Sequence, residues 1–240
     1  MTAPGTLFGL GLGPGDPELI TLKALRLLRG VPVVAYPAPT GGASFARSIV
    51  AEFLSPLQIE LRVDVPMNPD PKFALKAYEV GAVAIAEHLA AGRDVALLCQ
   101  GDPFFYGSFM YLFGLLAQRF TIEVVPGVSS VMAAAAATGV PLVCRDDVMT
   151  VVPATLPAEE LEKRLESASG IAILKLGRHF AKVRDVLDRL GLLERARYVE
   201  RVSLPGQRML PAKDVDPASV PYFSMILVHR RQDPWASEET

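Results

Sequence analysis

Two short loops, each with one carboxylate, contain the first residues in this sequence that could do chemistry. Gly15-Asp16-Pro17 lies within "GLGLGPGDPELITLKA", and Gly101-Asp102-Pro103 lies within "LCQGDPFFYGSFMYL". Each tripeptide follows an apolar run and precedes a helical pattern. The glycines let the backbone approach a ligand closely, and the prolines stiffen the turns. A carboxylate beside an open backbone suits a ligand that carries hydroxyl groups or positive charge.

The glycine spacing argues against a phosphate-binding loop. A dinucleotide fingerprint starting at Gly9 or Gly11 would need its third glycine where Pro14 or Asp16 stands. The Lys-Ser/Thr pair of a P-loop is also missing, and a carboxylate would repel a phosphate. S-adenosylmethionine fits better, because it has a ribose diol, an ammonium group and a sulfonium but no phosphate. The alternative is that Asp16 and Asp102 only close turns or cap the helices that follow.

A third candidate loop joins a β-rich run to an alanine-rich helix in "VVPGVSSVMAAAAATGVPL". Ser129 and Ser130 fall at the start of that helix. They could cap the helix, contact a ligand, or do both.

Strong acid–base groups are scarce in the sequence. His88, His179 and His229 are isolated from one another, and no Cys/His cluster, Ser-His-Asp set or metal-ligand spacing is visible. Cys99 and Cys144 lie far apart in apolar segments, which predicts buried reduced thiols. Methyl transfer to an electron-rich carbon fits this inventory, since it depends on in-line placement more than on proton abstraction.

The order of patterns predicts an α/β fold. Short apolar runs alternate with amphipathic helical segments, as in "TLFGL", "ELITLKALRLLRG" and "VPVVAY", and the alternation restarts near residue 120. We therefore predict two α/β domains, residues 1–119 and 120–240, each a mostly parallel or mixed sheet with helices on its faces. A ligand cleft between the domains is expected, because open α/β sheets bind ligands beyond the carboxyl ends of their strands.

Composition excludes several classes of partner. The chain has 240 residues, half of them hydrophobic, and a net charge of −2. Nucleic-acid binding needs a basic face, which this charge does not favour. Neither a signal peptide nor a membrane-spanning segment is expected. The composition predicts a soluble protein of the cytoplasm.

Four segments together resemble the tetrapyrrole methylases, in order and over nearly the whole chain: "GLGPGDPELITLKA", "LCQGDPFFYG", "VVPGVSSVMAAAAATGVPL" and "ILKLGRH". Others, among them "YPAPTGGASFARSI", "RDDVMTVVPATLP" and "YFSMILV", are most similar to the branch of that family that methylates C-20 of precorrin-2 in cobalamin synthesis. The resemblance implies a homodimer that binds S-adenosylmethionine, releases S-adenosylhomocysteine and takes a tetrapyrrole substrate.

The same resemblance implies which residues contact the ligands. Cofactor contacts are expected from Gln100, Gly101, Asp102, Phe105, Tyr106, Ser129, Ser130, Leu176 and Val202. Pro14 and Asp16 are expected where the tetrapyrrole enters, with Arg47, Arg145, Arg178 and Arg208 as candidates for its eight carboxylates. The sequence departs from relatives that methylate uroporphyrinogen, which have Asn-Gly where this chain has Arg201-Val202 and an aspartate where it has Pro37.

For the reaction, the resemblance implies attack of the electron-rich C-20 carbon on the sulfonium methyl group, giving precorrin-3A. Asp16 is the candidate catalytic residue, because it could steady the positive charge or accept a pyrrole N–H; alternatively it only shapes its loop. The substrate could instead be cobalt-precorrin-2, or the methyl acceptor another tetrapyrrole carbon or a protein side chain. A non-catalytic tetrapyrrole carrier or sensor is a further alternative.

Overall fold

The structure is a computed structural model that describes residues 3–68 and 70–231. Its strands are β1 Leu7–Gly11, β2 Val33–Pro39, β3 Ile59–Val65, β4 Val95–Cys99, β5 Ile122–Val125, β6 Met149–Pro153, β7 Gly170–Leu174, β8 Arg197–Glu200, β9 Arg208–Pro211 and β10 Ser224–His229. Its α-helices are α1 Leu22–Gly30, α2 Phe45–Ile49, α3 Pro71–Ala90, α4 Phe109–Leu116, α5 Ser130–Thr138, α6 Ala158–Leu165 and α7 Phe180–Arg189.

The first sheet has the strand order β3-β2-β4-β1-β5, and every pairing in it is parallel. β1 and β4 are buried along their whole length, which explains why they read as continuous apolar runs. Helices α3 and α4 cover one face of the sheet, and α1 and α2 cover the other. Because parallel strands end at the same edge, the loops after β1, β4 and β5 emerge side by side.

The second sheet has the order β6-β7-β10-β8-β9 and is mixed. β6 runs parallel to β7, whereas β10 pairs antiparallel with both β7 and β8. α6 and α7 pack on one face around Phe180 and Tyr198. The other face is covered by α5, whose Val131 and Ala134 are fully buried. The prediction that each sheet is mostly parallel or mixed, with helices on its faces, is confirmed.

The chain divides into two compact units after Ser129, ten residues beyond the predicted boundary at 119/120. The reason is β5, which restarts the sequence pattern yet pairs in parallel with β1, Leu7 facing Ile122 and Leu10 facing Val125. It therefore completes the first sheet.

The state of the two cysteines and the length of the apolar helices can be compared with what the sequence predicts. Cys99 and Cys144 are both free; Cys99 is buried as expected, but Cys144 is partly exposed. Within the described residues, no helix combines the length and apolar character needed to cross a membrane.

Candidate functional site

Three loops meet at the carboxyl edge of the first sheet. The first loop (residues 12–16) follows β1, the second (100–108) follows β4 and the third (126–129) follows β5. The first two are joined by a pair of backbone hydrogen bonds: Gly101 N–H donates to the Gly13 carbonyl at 2.7 Å, and Gly13 N–H donates to the Gly101 carbonyl at 3.3 Å. Both glycines have left-handed backbones, with φ of +77° at Gly13 and +67° at Gly101.

The loops pack at distances that only glycine allows. A Cβ on Gly11 would lie 2.4 Å from the Gly127 nitrogen. A Cβ on Gly127 would lie 2.1 Å from the Gly101 carbonyl oxygen. These glycines are needed for loop-to-loop contact, because backbone atoms cannot yield as a side chain can.

Asp102 ties the second loop to the third. Its Oδ1 accepts hydrogen bonds from the N–H groups of Phe104 at 2.9 Å and Phe105 at 3.2 Å. Its Oδ2 accepts one from Gly127 N–H at 3.1 Å. Both oxygens therefore bond to backbone donors, which fixes the loops. The sequence offers no sign of this partner, since Gly127 lies 25 residues away.

Gly101 differs from Gly11 and Gly127 because its missing side chain faces open space: a Cβ built there has no heavy atom within 4 Å. A ligand can therefore reach the backbone at this point. Phe105 and Tyr106, in the same loop, are exposed by 39% and 44% and stack edge to face. Gln100 is half-buried at the start of the loop. This loop thus combines an accessible backbone with exposed aromatic side chains.

Asp16 in the first loop has a local structural role. It caps the short 3₁₀ turn Pro17–Leu19, with Oδ1 accepting from Glu18 N–H at 2.9 Å. Asp16 remains partly exposed, whereas the nearby Pro14 is buried. The capping alternative is therefore observed for Asp16, and it leaves the residue within reach of solvent.

In the second unit, β7 and β8 end at a common edge, since both pair antiparallel with β10, where Met225 faces Leu174 on one side and Val199 on the other. Leu176 follows β7 and Val202 follows β8. Their side chains are buried, Leu176 among α6 and α7 and Val202 beside α5. A ligand at this edge would meet their backbone atoms.

Left-handed backbone conformations coincide with the predicted site loops. Among the described residues, the non-glycine residues with positive φ are Tyr106, Arg145, Lys175, Arg201 and Ser203. Tyr106 and Arg145 are themselves predicted site residues, and the other three flank Leu176 or Val202. Such conformations cost about 1–3 kcal/mol each and concentrate at functional loops.

The serines fall where the sequence places them. Ser130 is the first residue of α5, and Ser129 is the last residue of the first unit. Val131, next along α5, packs in the same buried cluster as Leu174 and Val202. Ser130 therefore begins the helix that covers this face of the second sheet.

The candidate arginines are dispersed. Arg47 makes a bidentate ion pair with Glu60, at 2.6 and 2.8 Å, and this pairing lowers the pKa of Glu60. Arg178 is exposed in the turn that follows Leu176. Arg208 lies opposite Glu200, 3.4 Å away. Arg145 is exposed just before β6, at the opposite edge from Leu176, roughly one strand length away. Two of the four therefore lie near predicted cofactor residues of this unit: Arg178 follows Leu176, and Arg208 faces the last residue of β8, two residues before Val202.

Comparison with known proteins gives the family. The model of the Tetrapyrrole (Corrin/Porphyrin) Methylases matches residues 6–215. The chain belongs to this family. The chain is 48% identical to the cobalamin biosynthesis protein CobIJ of Mycobacterium tuberculosis over 95% of its own length, but it spans only about half (46%) of that relative. It is 40% identical to the precorrin-2 C(20)-methyltransferase of a Sinorhizobium species, with 93% of this chain and 95% of the relative covered.

A solved structure shares the fold of this chain. Uroporphyrin-III C-methyl transferase from Thermus thermophilus, crystallised with S-adenosylhomocysteine, superposes with a TM-score of 0.66 at 26% identity, covering 94% of this chain and 92% of the other. The predicted family is confirmed.

Proposed function

We propose that this protein transfers a methyl group from S-adenosylmethionine to C-20 of precorrin-2, and that the methylated carbon then loses its proton, giving precorrin-3A, S-adenosylhomocysteine and H⁺. The observation that carries the proposal is the nearly end-to-end match, at 40% identity, to the Sinorhizobium methyltransferase. The more similar CobIJ relative supports a role in cobalamin synthesis, although this chain spans only half of it.

The residues present fit an adenosyl cofactor. When bound, S-adenosylmethionine supplies the methyl group on its sulfonium. The open backbone at Gly101 allows the cofactor to approach closely. The second loop contains no lysine or arginine, the residues that would favour a phosphate group. Gln100, Gly101, Phe105, Tyr106, Ser129 and Ser130 are proposed to contact the cofactor directly. Leu176 and Val202 are proposed to do so through backbone atoms.

Asp102 is proposed to act indirectly on the cofactor. Both of its oxygens already accept backbone N–H groups. Its part is to hold the second and third loops in one arrangement, so that the ligand meets a preorganised surface.

Asp16 is proposed to act on the tetrapyrrole, with Pro14 shaping the loop beside it. A carboxylate near the reacting macrocycle can stabilise positive charge as it develops, or accept a pyrrole N–H. Arg178 and Arg145, both exposed, are proposed to meet substrate carboxylates. Arg47 is a weaker candidate for this role, because Glu60 already occupies its guanidinium.

We also infer a homodimer that acts in the cytoplasm. Support comes from α4, where Met110, Tyr111 and Leu115 are each exposed by 43–44%. Apolar side chains clustered on one helix favour burial against a second copy.

The test is an anaerobic incubation of the purified protein with precorrin-2 and S-adenosylmethionine. We expect S-adenosylhomocysteine to form only when the tetrapyrrole is present, and the tetrapyrrole to gain one methyl group by mass spectrometry. Parallel reactions with cobalt-precorrin-2 compare kcat/KM for the two substrates. Tetrapyrrole binding that is indifferent to the cofactor, with no product, would favour a carrier or sensor instead.

A further inference from the structure

Tyr222 and Phe223 form an exposed aromatic pair in the second unit. The two residues are exposed by 64% and 44%, and their ring centroids lie 5.3 Å apart with the planes at 75°. They immediately precede β10, which is buried throughout. Large exposed aromatic side chains beside a buried strand indicate a contact surface for something other than the core.

The pair lies at the edge where β7 and β8 end. The Phe223 carbonyl accepts a hydrogen bond from Arg201 N–H at 2.9 Å, which connects it to the Arg201–Ser203 turn. Tyr222 lies against the other turn, since a Cβ on Gly177 would be 3.9 Å from the Tyr222 Cα. The two aromatic residues therefore adjoin both turns that hold Leu176 and Val202.

The bend that presents these rings is fixed by the buried Ser224. Its hydroxyl donates to the Pro221 carbonyl at 2.6 Å, and its N–H donates to the Tyr222 carbonyl at 2.9 Å. A fixed backbone presents the rings with little loss of conformational freedom when a ligand binds.

We propose that Tyr222 and Phe223 form a stacking platform for the adenine ring of the cofactor. The proposal rests on the proposed function, since it uses the assignment of the Leu176 and Val202 turns to the cofactor. Adenine is the flat, uncharged, aromatic part of S-adenosylmethionine. Bases stack on exposed aromatic side chains with a stabilisation that substitution by alanine removes.

The experiment is isothermal titration calorimetry with S-adenosylhomocysteine and, separately, adenosine, in the absence of tetrapyrrole. For Tyr222→Ala and Phe223→Ala we expect at least one variant to bind both probes roughly tenfold to a hundredfold more weakly than wild type. Tyr222→Phe keeps the ring and should stay within about threefold of wild type. Because both side chains are exposed, the thermal unfolding temperature should hardly change.

Phe73→Ala serves as the matched control. Phe73 is exposed by 51% but lies on α3 in the first unit, so its loss should leave affinity for both probes unchanged. Unaltered affinity in both the Tyr222→Ala and Phe223→Ala variants would overturn the platform, and so would a loss confined to the KM for the tetrapyrrole. If wild type itself binds neither probe, the proposed function fails together with the platform.

Discussion

Asp102 and Gly127 are joined by a 3.1 Å hydrogen bond from the glycine N–H to the carboxylate Oδ2, across 25 residues of sequence. The bond links the loops after β4 and β5, and the packing of Gly127 against Gly11 brings in the loop after β1. The arrangement of these three loops thus depends on one carboxylate and a few glycines. The Gly101-Asp102-Pro103 motif, whose sequence suggests ligand contact, therefore also holds the loops together.

The role of Asp102 is tested by Asp102→Asn. The amide keeps one acceptor oxygen but turns an NH₂ group toward one of the backbone donors, so at least one hydrogen bond is lost. We expect stability to fall by about 1–3 kcal/mol, and affinity for S-adenosylhomocysteine to fall at least tenfold. Urea unfolding and calorimetry measure the two effects. Asp70→Asn is the control, because Asp70 caps α3 in a similar way and asparagine caps equally well. If Asp102→Asn were as stable and bound S-adenosylhomocysteine as tightly as this control, Asp102 would not be what holds the second and third loops together.

Gly127→Ala should damage the site severely. The added methyl group would lie 2.1 Å from the Gly101 carbonyl, which cannot move without disturbing the first loop. We expect a loss of stability of several kcal/mol or a failure to accumulate folded protein. Gly114→Ala is its counterpart: Gly114 lies in α4 with open space around it. This change should stabilise the protein by roughly 0.5–1 kcal/mol. Equal stability of the two variants would show that the loops do not pack as described.

Two substitutions of Asp16 separate the effect of its helix cap from the effect of its negative charge. Asparagine preserves the cap of the Pro17–Leu19 turn but removes the negative charge, whereas alanine removes both. If the charge acts on the substrate, Asp16→Asn should keep wild-type stability and cofactor affinity yet lose about tenfold or more in kcat, while Asp16→Ala should also lose about 1 kcal/mol of stability. Steady-state kinetics with full activity in Asp16→Asn would leave the residue with only its structural role.

The second unit should have a defined response to acid. The Asp147 side chain is 10% exposed. Burial alone would raise its pKa. Hydrogen bonds from Arg231 at 2.7 Å, Cys144 N–H at 2.8 Å and His229 at 3.1 Å outweigh that effect and lower the pKa to about 2. Because the pKa is lower in the folded than in the unfolded protein, the carboxylate stabilises the fold above about pH 4. This contribution is lost as the pH falls from about 4 toward 2.

Asp147→Asn measures that contribution. The variant should be less stable than wild type at pH 7, and urea unfolding at successive pH values should show the difference narrowing below about pH 4. The neighbouring Asp146 is exposed, so Asp146→Asn should follow the wild-type curve. A difference between Asp147→Asn and wild type that stays constant down to pH 2 would mean that the ion pairs do not govern acid stability.

The sequence predicts the buried strands well because burial on both faces leaves a continuous apolar run, as in β4 and β7. The search for continuous apolar runs misses β3, an edge strand in which Glu60, Arg62 and Asp64 alternate with apolar residues, although this alternation is itself a strand signal. The other missed strand, β9, is also at an edge, and its four residues are too few to show a pattern.

The site is predictable as a set of loops but not as a set of contacts. Gly-Asp-Pro spacing identifies the first and second loops, since glycine and proline constrain the backbone locally. That Asp102 bonds to Gly127, or that Arg47 is held by Glu60, depends on how distant strands align. The burial of the Leu176 and Val202 side chains likewise follows from packing on opposite faces of the second sheet.

The most direct test of the proposed function locates the transferred methyl group. Purified protein is incubated with precorrin-2 and S-adenosylmethionine labelled with ¹³C in its methyl group, and the product is analysed by ¹³C NMR. We predict one enriched methyl signal, on C-20 of the macrocycle. Enrichment at any other carbon, or none in the presence of active cofactor and substrate, would contradict the assignment.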